Sequence, residues 1–458
     1  MLHVIDRPPF DEFTFKLFTE LFRNRREFGL QDAEFIYTWT GHMALPDGKV
    51  TNKDIFEPGS LRKVPESITD LYFWKFGYNQ ILGEGKYLNQ VDDLYQHFLE
   101  TMKDHVDFST ELYDQFCNSY NLIHKSFQDK KQIEYKIDQI ISSAKTIVMF
   151  VKDHFRVSLE KSWINFKPEL SEYFSNMFEY YSDKKFVLVT SLENLDKEIK
   201  SDNCVIIPMG GDITNQMNRF NEYSVVDQKV KSEKQCISLN RGLRNHRTYL
   251  VSLLFGKGLD KFTNITYLGL GESTKSLVDI LQYDTSSDPM FPIVDSGFSR
   301  FLSTTKQFDH VDIYRETGPN DNIFNFNNSL RSKYRSSFLE FVSETNYNEW
   351  SFNITEKFSH SVFGLNLPII VSSPGYVEFL RNVGFDMFDD IIDHSYDLET
   401  DKLKRLHQMV LNNQEILSSD LSGSFPGYKS RLYSNCDVLI NKLPDYYITR
   451  FWERLKQI

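Results

Sequence analysis

Hydrophobic and polar positions change rhythm several times along the chain. The opening FDEFTFKLFTELFRNRREF (10–28) is helix-like, and EFIYTWTGHM (34–43) is strand-like, with Pro46, Asp47 and Gly48 marking a turn behind it. From about 88 to 182 apolar residues recur at three- and four-residue spacing, as in VDDLYQHFLETM and IDQIISSAKTIVMFVKDHF, which predicts helices. Two short apolar runs follow, KKFVLVTSL (184–192) and CVIIPMGGD (204–212), and read as buried parallel strands. After residue 230 strands and helices alternate cleanly. Strand QCISLN leads to helix RNHRTYLVSLLFGKG and strand ITYLGLG. No assignment is made for 273–337. Then come strand FLEFVSE, helix TEKFSHSVFG, strand LPIIVSS, helix GYVEFLRNVGF and the strand-like DIIDHS. A polar helix starts near Glu399, and PDYYITRFWERLKQI (444–458) predicts an aromatic-rich last helix.

Strands alternating with helices imply parallel sheets covered on both faces. The pattern predicts two Rossmann-like α/β domains facing a cleft, with an added helical region in the N-terminal half. Their extents are 1–230 and 231–430, with 431–458 packing back on the first domain. Ligands of open α/β sheets bind beyond the carboxyl ends of strands. That rule singles out the loops starting at Asn240, Glu344 and Ser372.

Composition narrows the classes without choosing among them. The 458 residues are 40% hydrophobic, enough for full cores. Acidic residues outnumber basic ones, 64 to 52, for a net charge of −12, which argues against a large nucleic-acid footprint. Four scattered cysteines (117, 204, 236, 436) form no CxxC pair and read as free thiols. Asp6, Arg7 and Asp11 interrupt any signal-peptide core, and no stretch of about 18 apolar residues is present to span a membrane. A soluble, cytoplasmic protein is expected.

Three segments carry candidate chemistry. In NRGLRNHR (240–247), Arg241, Arg244, His246 and Arg247 gather at a strand end and a helix start, where the helix dipole prefers anions. Cations there suit a bound phosphate; a solvated basic turn is the alternative. In NITEKFSH, Thr355 caps a helix whose first turn holds Glu356 and Lys357, suited to ribose hydroxyls and a diphosphate, or simply to an ordinary helix start. In SSPGY, Ser372, Ser373 and Gly375 form a strand-to-helix turn able to lie against a phosphate or base, and Asp393, Tyr396 and Asp397 end the next run. Candidate general bases are His42, beside Trp39, and Asp212, behind Gly210 and Gly211. Arg331, Lys333 and Arg335 form a basic stripe, either a solvated face or a track for an anionic acceptor. The histidines show no metal-ligand spacing, and no metal or other cofactor is expected.

The block FVSET…FNITEKFSHSVFGLNLPIIVSSPGYVEFLRNVGFDMFDDIIDHSYD, together with NRGLRNHRTYLVSLLFGKGL, resembles a glycosyltransferase family frequent in tailed-phage and marine-virus genomes. Thr-Glu-Lys is also similar to the donor signature of fucosyltransferase-like enzymes. The resemblance covers roughly residues 235–410. It implies a GT-B arrangement and a viral origin, hence the cytoplasm of a host. Glu356 would bind the donor ribose and Lys357 its diphosphate, with Arg241, Arg244 and Arg247 adding phosphate contacts and Glu344 facing donor or sugar. Where the family carries a second lysine after Thr-Glu-Lys, this chain has His360.

The expected activity is transfer of a sugar from a nucleotide sugar to an acceptor hydroxyl. No Asp-x-Asp occurs, so the arginines and Lys357 would replace a metal at the leaving diphosphate. Some phages glycosylate hydroxymethylated bases in their own DNA, which sets a modified base beside a glycan as candidate acceptor. A non-catalytic nucleotide- or glycan-binding module is the alternative of a different class.

Overall fold

A computed structural model of the chain describes residues 2–4, 17, 20–38, 143–151, 175, 178–179, 181–190, 193–210, 213, 217–240, 244–267, 289–304, 326–344, 347 and 354–458. The chain divides into two compact units, Met1–Asn215 with Tyr447–Ile458, and Gln216–Tyr446. The described secondary structure is mixed α/β with parallel sheets.

The first unit holds five parallel strands in sequence order: β1 (Leu2–Val4), β2 (Glu34–Thr38), β3 (Thr146–Val151), β4 (Lys185–Thr190) and β5 (Cys204–Pro208). A short helix, α1 (Leu195–Glu198), links the last two. β3 corrects the sequence reading, which runs a helix through 137–155. Thr146, Ile147, Val148 and Val151 are β-branched, and β3 pairs on both sides, so the pleated sheet suits them better than a helix does. β1 has no counterpart among the expected elements. The predicted helices of 88–142 lie outside the described residues.

In the second unit come β6 (Cys236–Asn240), α2 (Asn245–Gly256), β7 (Thr263–Tyr267), α3 (Phe291–Thr304), α4 (Arg331–Arg335), β8 (Leu339–Ser343), α5 (Glu356–Phe363), β9 (Leu367–Val371), α6 (Tyr376–Val383), α7 (Lys402–Asn412), α8 (Gln414–Ser418), α9 (Lys429–Asp437) and α10 (Leu443–Leu455). The sheet order is β7-β6-β8-β9, all parallel. From β6 the chain moves one way to β7, and from β8 the other way to β9. Right-handed crossovers then set α2 and α5 on opposite faces, with a topological switch point between β6 and β8. Residues 246–255 of α2 are all buried, so this helix is sandwiched and apolar around most of its circumference. α3 crosses it so closely that a Cβ on Gly297 would lie 2.0 Å from the Ser252 carbonyl oxygen; only glycine fits.

DIIDHS is not a strand. Residues 389–392 turn, and 395–398 form one 3-10 turn. Asp393 accepts its own Ser395 N–H (2.8 Å), while the Tyr396 hydroxyl accepts the Ile370 N–H of β9 (3.0 Å). Side chains thus line this flank of β9 where a further backbone ladder was expected.

Residues 216–230 join the second unit, anchored there by backbone and side-chain hydrogen bonds. Val226 N donates to Phe363 O and Val230 N to Arg335 O, both at 2.9 Å. Lys229 Nζ donates to the carbonyls of Tyr334 (2.9 Å), Ser337 (2.8 Å) and Gly364 (2.5 Å) and to Asn366 Oδ1. Lys229 Nζ therefore sits at the carboxyl ends of α4 and α5, where helix dipoles favour a cation, while burial pulls its pKa well below the usual lysine range. Arg331 donates to the Ser224 carbonyl (2.9 Å) and also to that of Val225, so it anchors the linker too.

α9 runs through a wider π turn, Val438–Lys442, into α10. Pro444 cannot donate to the carbonyl four residues back, and the wide turn relaxes the ladder at that place. The tail of α10 gives the first unit Tyr447, Phe451 and Leu455, all buried, at four-residue spacing. Arg450 meets the wholly buried Glu193 at 2.5 Å, and Arg454 meets Asp196. No helix among the described residues is long and apolar enough to cross a membrane.

Glu340 in β8 is buried and accepts from Tyr334 Oη at 2.8 Å. Burial pushes its carboxyl up to about 8, against the Tyr334 hydrogen bond and the charge of Lys229. A carboxyl raised on folding contributes stability that is full below its unfolded value, near 4.5, and is lost as pH rises through 8. Glu340→Gln keeps the acceptor and removes the titration. Its stability relative to the parent chain is expected to rise between pH 5 and 8 by up to about 1.4 kcal/mol per pH unit, measured by urea unfolding. A pH-independent difference would contradict the assignment.

Candidate functional site at the strand ends of the second unit

The β6–β8 ladder ends early. Its last register pair is Ser238 with Phe341, two residues short of the end of each strand. Beyond it, β6 stays paired to β7 through Asn240 and Tyr267, and β8 stays paired to β9 through Ser343 and Val371. The two central strands therefore part at the switch point and open a crevice between their carboxyl ends.

Buried polar groups flank the parting. Asn240 Nδ2 donates back to Ser238 O (3.2 Å) and Ser238 Oγ (3.0 Å), and its Oδ1 is left without a partner. Ser343 Oγ and Ser373 Oγ are likewise buried and unpartnered, as is Arg405 Nε. Each such group costs roughly 1–3 kcal/mol if it stays unpaired.

Glu344 follows β8 and is completely buried. One carboxylate oxygen accepts from Thr355 N (3.3 Å) and Tyr376 Oη (2.8 Å), the other from Thr355 Oγ1. Burial raises its pKa, and the charge of Lys357 and these hydrogen bonds oppose the rise. Its backbone carbonyl is held by His246 Nε2 and Arg247 Nη2, both at 3.1 Å, and Arg247 also holds the Ser343 carbonyl at 2.9 Å. A carbonyl can only accept, so His246 carries its proton on Nε2. Burial, then Arg247 and Arg244, keep that imidazole neutral. Its ring stacks on Tyr347, 4.9 Å between centroids at 17°. Arg405 lies over the other side of this cluster, 4.2 Å from the Tyr347 centroid, and donates to the Tyr347 and Glu399 carbonyls.

Thr355 is the N-cap of α5 and accepts the Lys357 N–H (3.4 Å). Lys357 Nζ reaches Glu356 Oε1 at 2.9 Å and Thr355 Oγ1 at 3.1 Å, with both charged side chains about one-fifth exposed. Burial would raise the Glu356 carboxyl, but Lys357, by charge and hydrogen bond, and His360 hold it at about 2. The acid and base expected in the first turn thus form an ion pair at the edge of the crevice.

Three helices begin at this side of the sheet, and their N-termini differ. α6 is already served by a carboxylate: Asp397 accepts from Val377 N and Glu378 N, each at 3.1 Å, and Gly375 adopts the positive φ (80°) that the turn requires. α5 is capped by Thr355. α2 has no side-chain cap and no acidic residue in its first turn, with Arg244 at the N-cap position. Of the three first turns, that of α2 lacks an acidic residue while those of α5 and α6 carry Glu356 and Glu378, which favours an anion at the α2 dipole.

The expected site residues accordingly separate. Arg244, His246, Arg247, Glu344, Thr355, Glu356, Lys357 and Ser373 gather around the strand ends. Gly375, Tyr396 and Asp397 are engaged in the α6 turn and beside β9. His360 packs with Phe326 and Tyr223 in an aromatic core. His42, Asp212 and Arg241 lie outside the described residues. Sequence reading did not single out Asn240 and Ser343 as unpartnered, nor Tyr347, Tyr376 and Arg405. The one available signal was Arg405 on the buried stripe of α7 beside Leu406, Met409 and Val410. Among the described residues no three His, Cys, Asp or Glu side chains gather to hold a metal ion. No protein-family model and no curated protein matches the chain.

Thr355→Ala removes the cap of α5 and strands a buried Glu344 oxygen. It is expected to cost roughly 2–4 kcal/mol, whereas Thr355→Ser costs about 1 or less, measured by urea unfolding. Equal costs for the two variants would show that the hydroxyl does not hold this junction.

Proposed function

We propose that the second unit binds a nucleotide sugar at the carboxyl ends of β6 and β8, and that the protein transfers the sugar to an acceptor hydroxyl. The observation that carries this reading is the early parting of β6 and β8 beside the uncapped start of α2 and the Glu356–Lys357 pair. An anion held there meets a helix N-terminus and the cations Arg244 and Lys357. Glu356, ionised and at the crevice edge, accepts ribose hydroxyls.

In the reaction the acceptor oxygen bonds to the anomeric carbon as the bond from that carbon to the phosphate oxygen breaks. The nucleoside diphosphate leaves with the bonding electrons, and a base takes the acceptor proton. Charge grows on the departing phosphate, so fixed cations beside it stabilise the transition state more than the ground state. Glu344 acts through others: its oxygens are taken by Thr355 and Tyr376, and it holds α5 in place. His246, neutral and donating to a carbonyl, serves the same end.

Titration with the common nucleoside diphosphates and nucleotide sugars tests the reading. One nucleotide is expected to raise the melting temperature selectively, since a ligand of the native state stabilises it by mass action. Lys357→Ala should weaken that binding at least tenfold. The same variant is expected to lower the ligand-free melting temperature, because the mostly buried Glu356 loses its cation, so binding is compared at a temperature where both chains are folded. Incubation with the bound nucleotide sugar and acceptor glycans should release the nucleoside diphosphate. Binding without release would favour the non-catalytic module, and no binding would sink the proposal.

A further inference from the structure

We infer that Asn240, Ser343 and Ser373 form a strip that reads neutral hydroxyl groups of the ligand, separate from the cations that hold its phosphates. This rests on the nucleotide-sugar reading of the same crevice. The register sets Ser238 beside Phe341, so Asn240 and Ser343, each two residues on, share one face of the sheet. Ser343 is paired in turn with Val371, two residues before Ser373. Asn240 and Ser343 thus come one from each central strand, and Ser373 stands in the turn that follows β9. All three side chains are at least nine-tenths buried, and each has an oxygen without a partner.

The chemistry of the atoms selects the ligand group. Asn240 commits its amide nitrogen to Ser238 and leaves its amide oxygen, buried, without a partner. An amide oxygen only accepts, and a phosphate oxygen ionised at neutral pH has nothing to donate to it. A hydroxyl does, and a hydroxyl can also accept from Ser343 or Ser373. The Asn240 oxygen is thus mismatched to the diphosphate, and together with the two serine hydroxyls it is matched to a ring bearing neighbouring hydroxyls. A nucleotide sugar has two such rings, the ribose and the transferred sugar.

The variants are Asn240→Leu, Ser343→Ala and Ser373→Ala, and the probes are pyrophosphate, the nucleoside diphosphate and the nucleotide sugar, titrated by calorimetry. Ligand-free Ser343→Ala and Ser373→Ala are expected to melt within about 2 °C of the parent chain or above it, since each removes a hydroxyl that bonds nothing. Pyrophosphate affinity should not change. Affinity for the ring-bearing ligand should fall roughly five- to tenfold per serine, the size of one lost hydrogen bond. A fall with the nucleotide sugar alone assigns the strip to the transferred sugar, and a fall with the nucleoside diphosphate as well assigns it to the ribose. Unchanged affinity for every probe, a parallel fall with pyrophosphate, or serine variants that lose stability without ligand would overturn the inference and leave the nucleotide-sugar reading standing. A parent chain that binds none of the probes overturns that reading, and the strip with it.

Discussion

A buried carboxylate holds the site of the second unit together. Glu344 sits past the end of β8 with no exposed surface, and removing an ion from water is costly unless its oxygens are occupied. Thr355 and Tyr376 occupy them, which ties the starts of α5 and α6 to the end of the strand. His246 and Arg247 take the carbonyls next to it and tie in the start of α2. Three helix starts are therefore referenced to one residue. The polar groups at the crevice are tied to this anchor by hydrogen bonds, and a fixed frame is what lets charges act on a ligand without reorganising.

The same region departs from good packing practice where a ligand would need it to. Two central strands stop pairing before they end, and three buried side chains keep an oxygen unpartnered beside them. α2 begins without a side-chain cap, whereas Thr355 caps α5 and the Asp397 carboxylate meets the first N–H groups of α6. Proteins tolerate such defects mainly at functional sites, where the missing partner comes from outside. Elsewhere in the unit some polar groups are fully served, although Glu340 Oε2 and Ser361 Oγ are buried without a hydrogen-bond partner as well. Lys229 has four oxygens at the ends of two helices, and Asp397 satisfies the start of α6.

The fold of the second unit was legible because its strands are short apolar runs and its helices carry their own punctuation. QCISLN, FLEFVSE and LPIIVSS match β6, β8 and β9 closely, and Thr355 announces α5 as its cap. Where two signals overlapped, the reading failed. TIVMFV follows a helical period without a break, and only its β-branched residues hinted at the strand it forms. DIIDHS had the alternation of a strand, but Asx-type turns bend it and Tyr396 meets β9 with its side chain.

For the site, sequence by itself determined which chemistry was available: arginines at one strand end, an acid and a lysine at one helix start, serines at another. Those follow from local rules, since a cap, a first turn and a strand end each involve a few consecutive residues. Tertiary structure alone decided how these groups are used. Strand order placed β6 beside β8, although about a hundred residues of chain lie between them. Burial turned Arg247 and His246 toward backbone carbonyls and moved His360 into an aromatic core. Whether a polar side chain is spent on its own fold or left over for a ligand depends on neighbours distant in the chain, and no local pattern of residues records that.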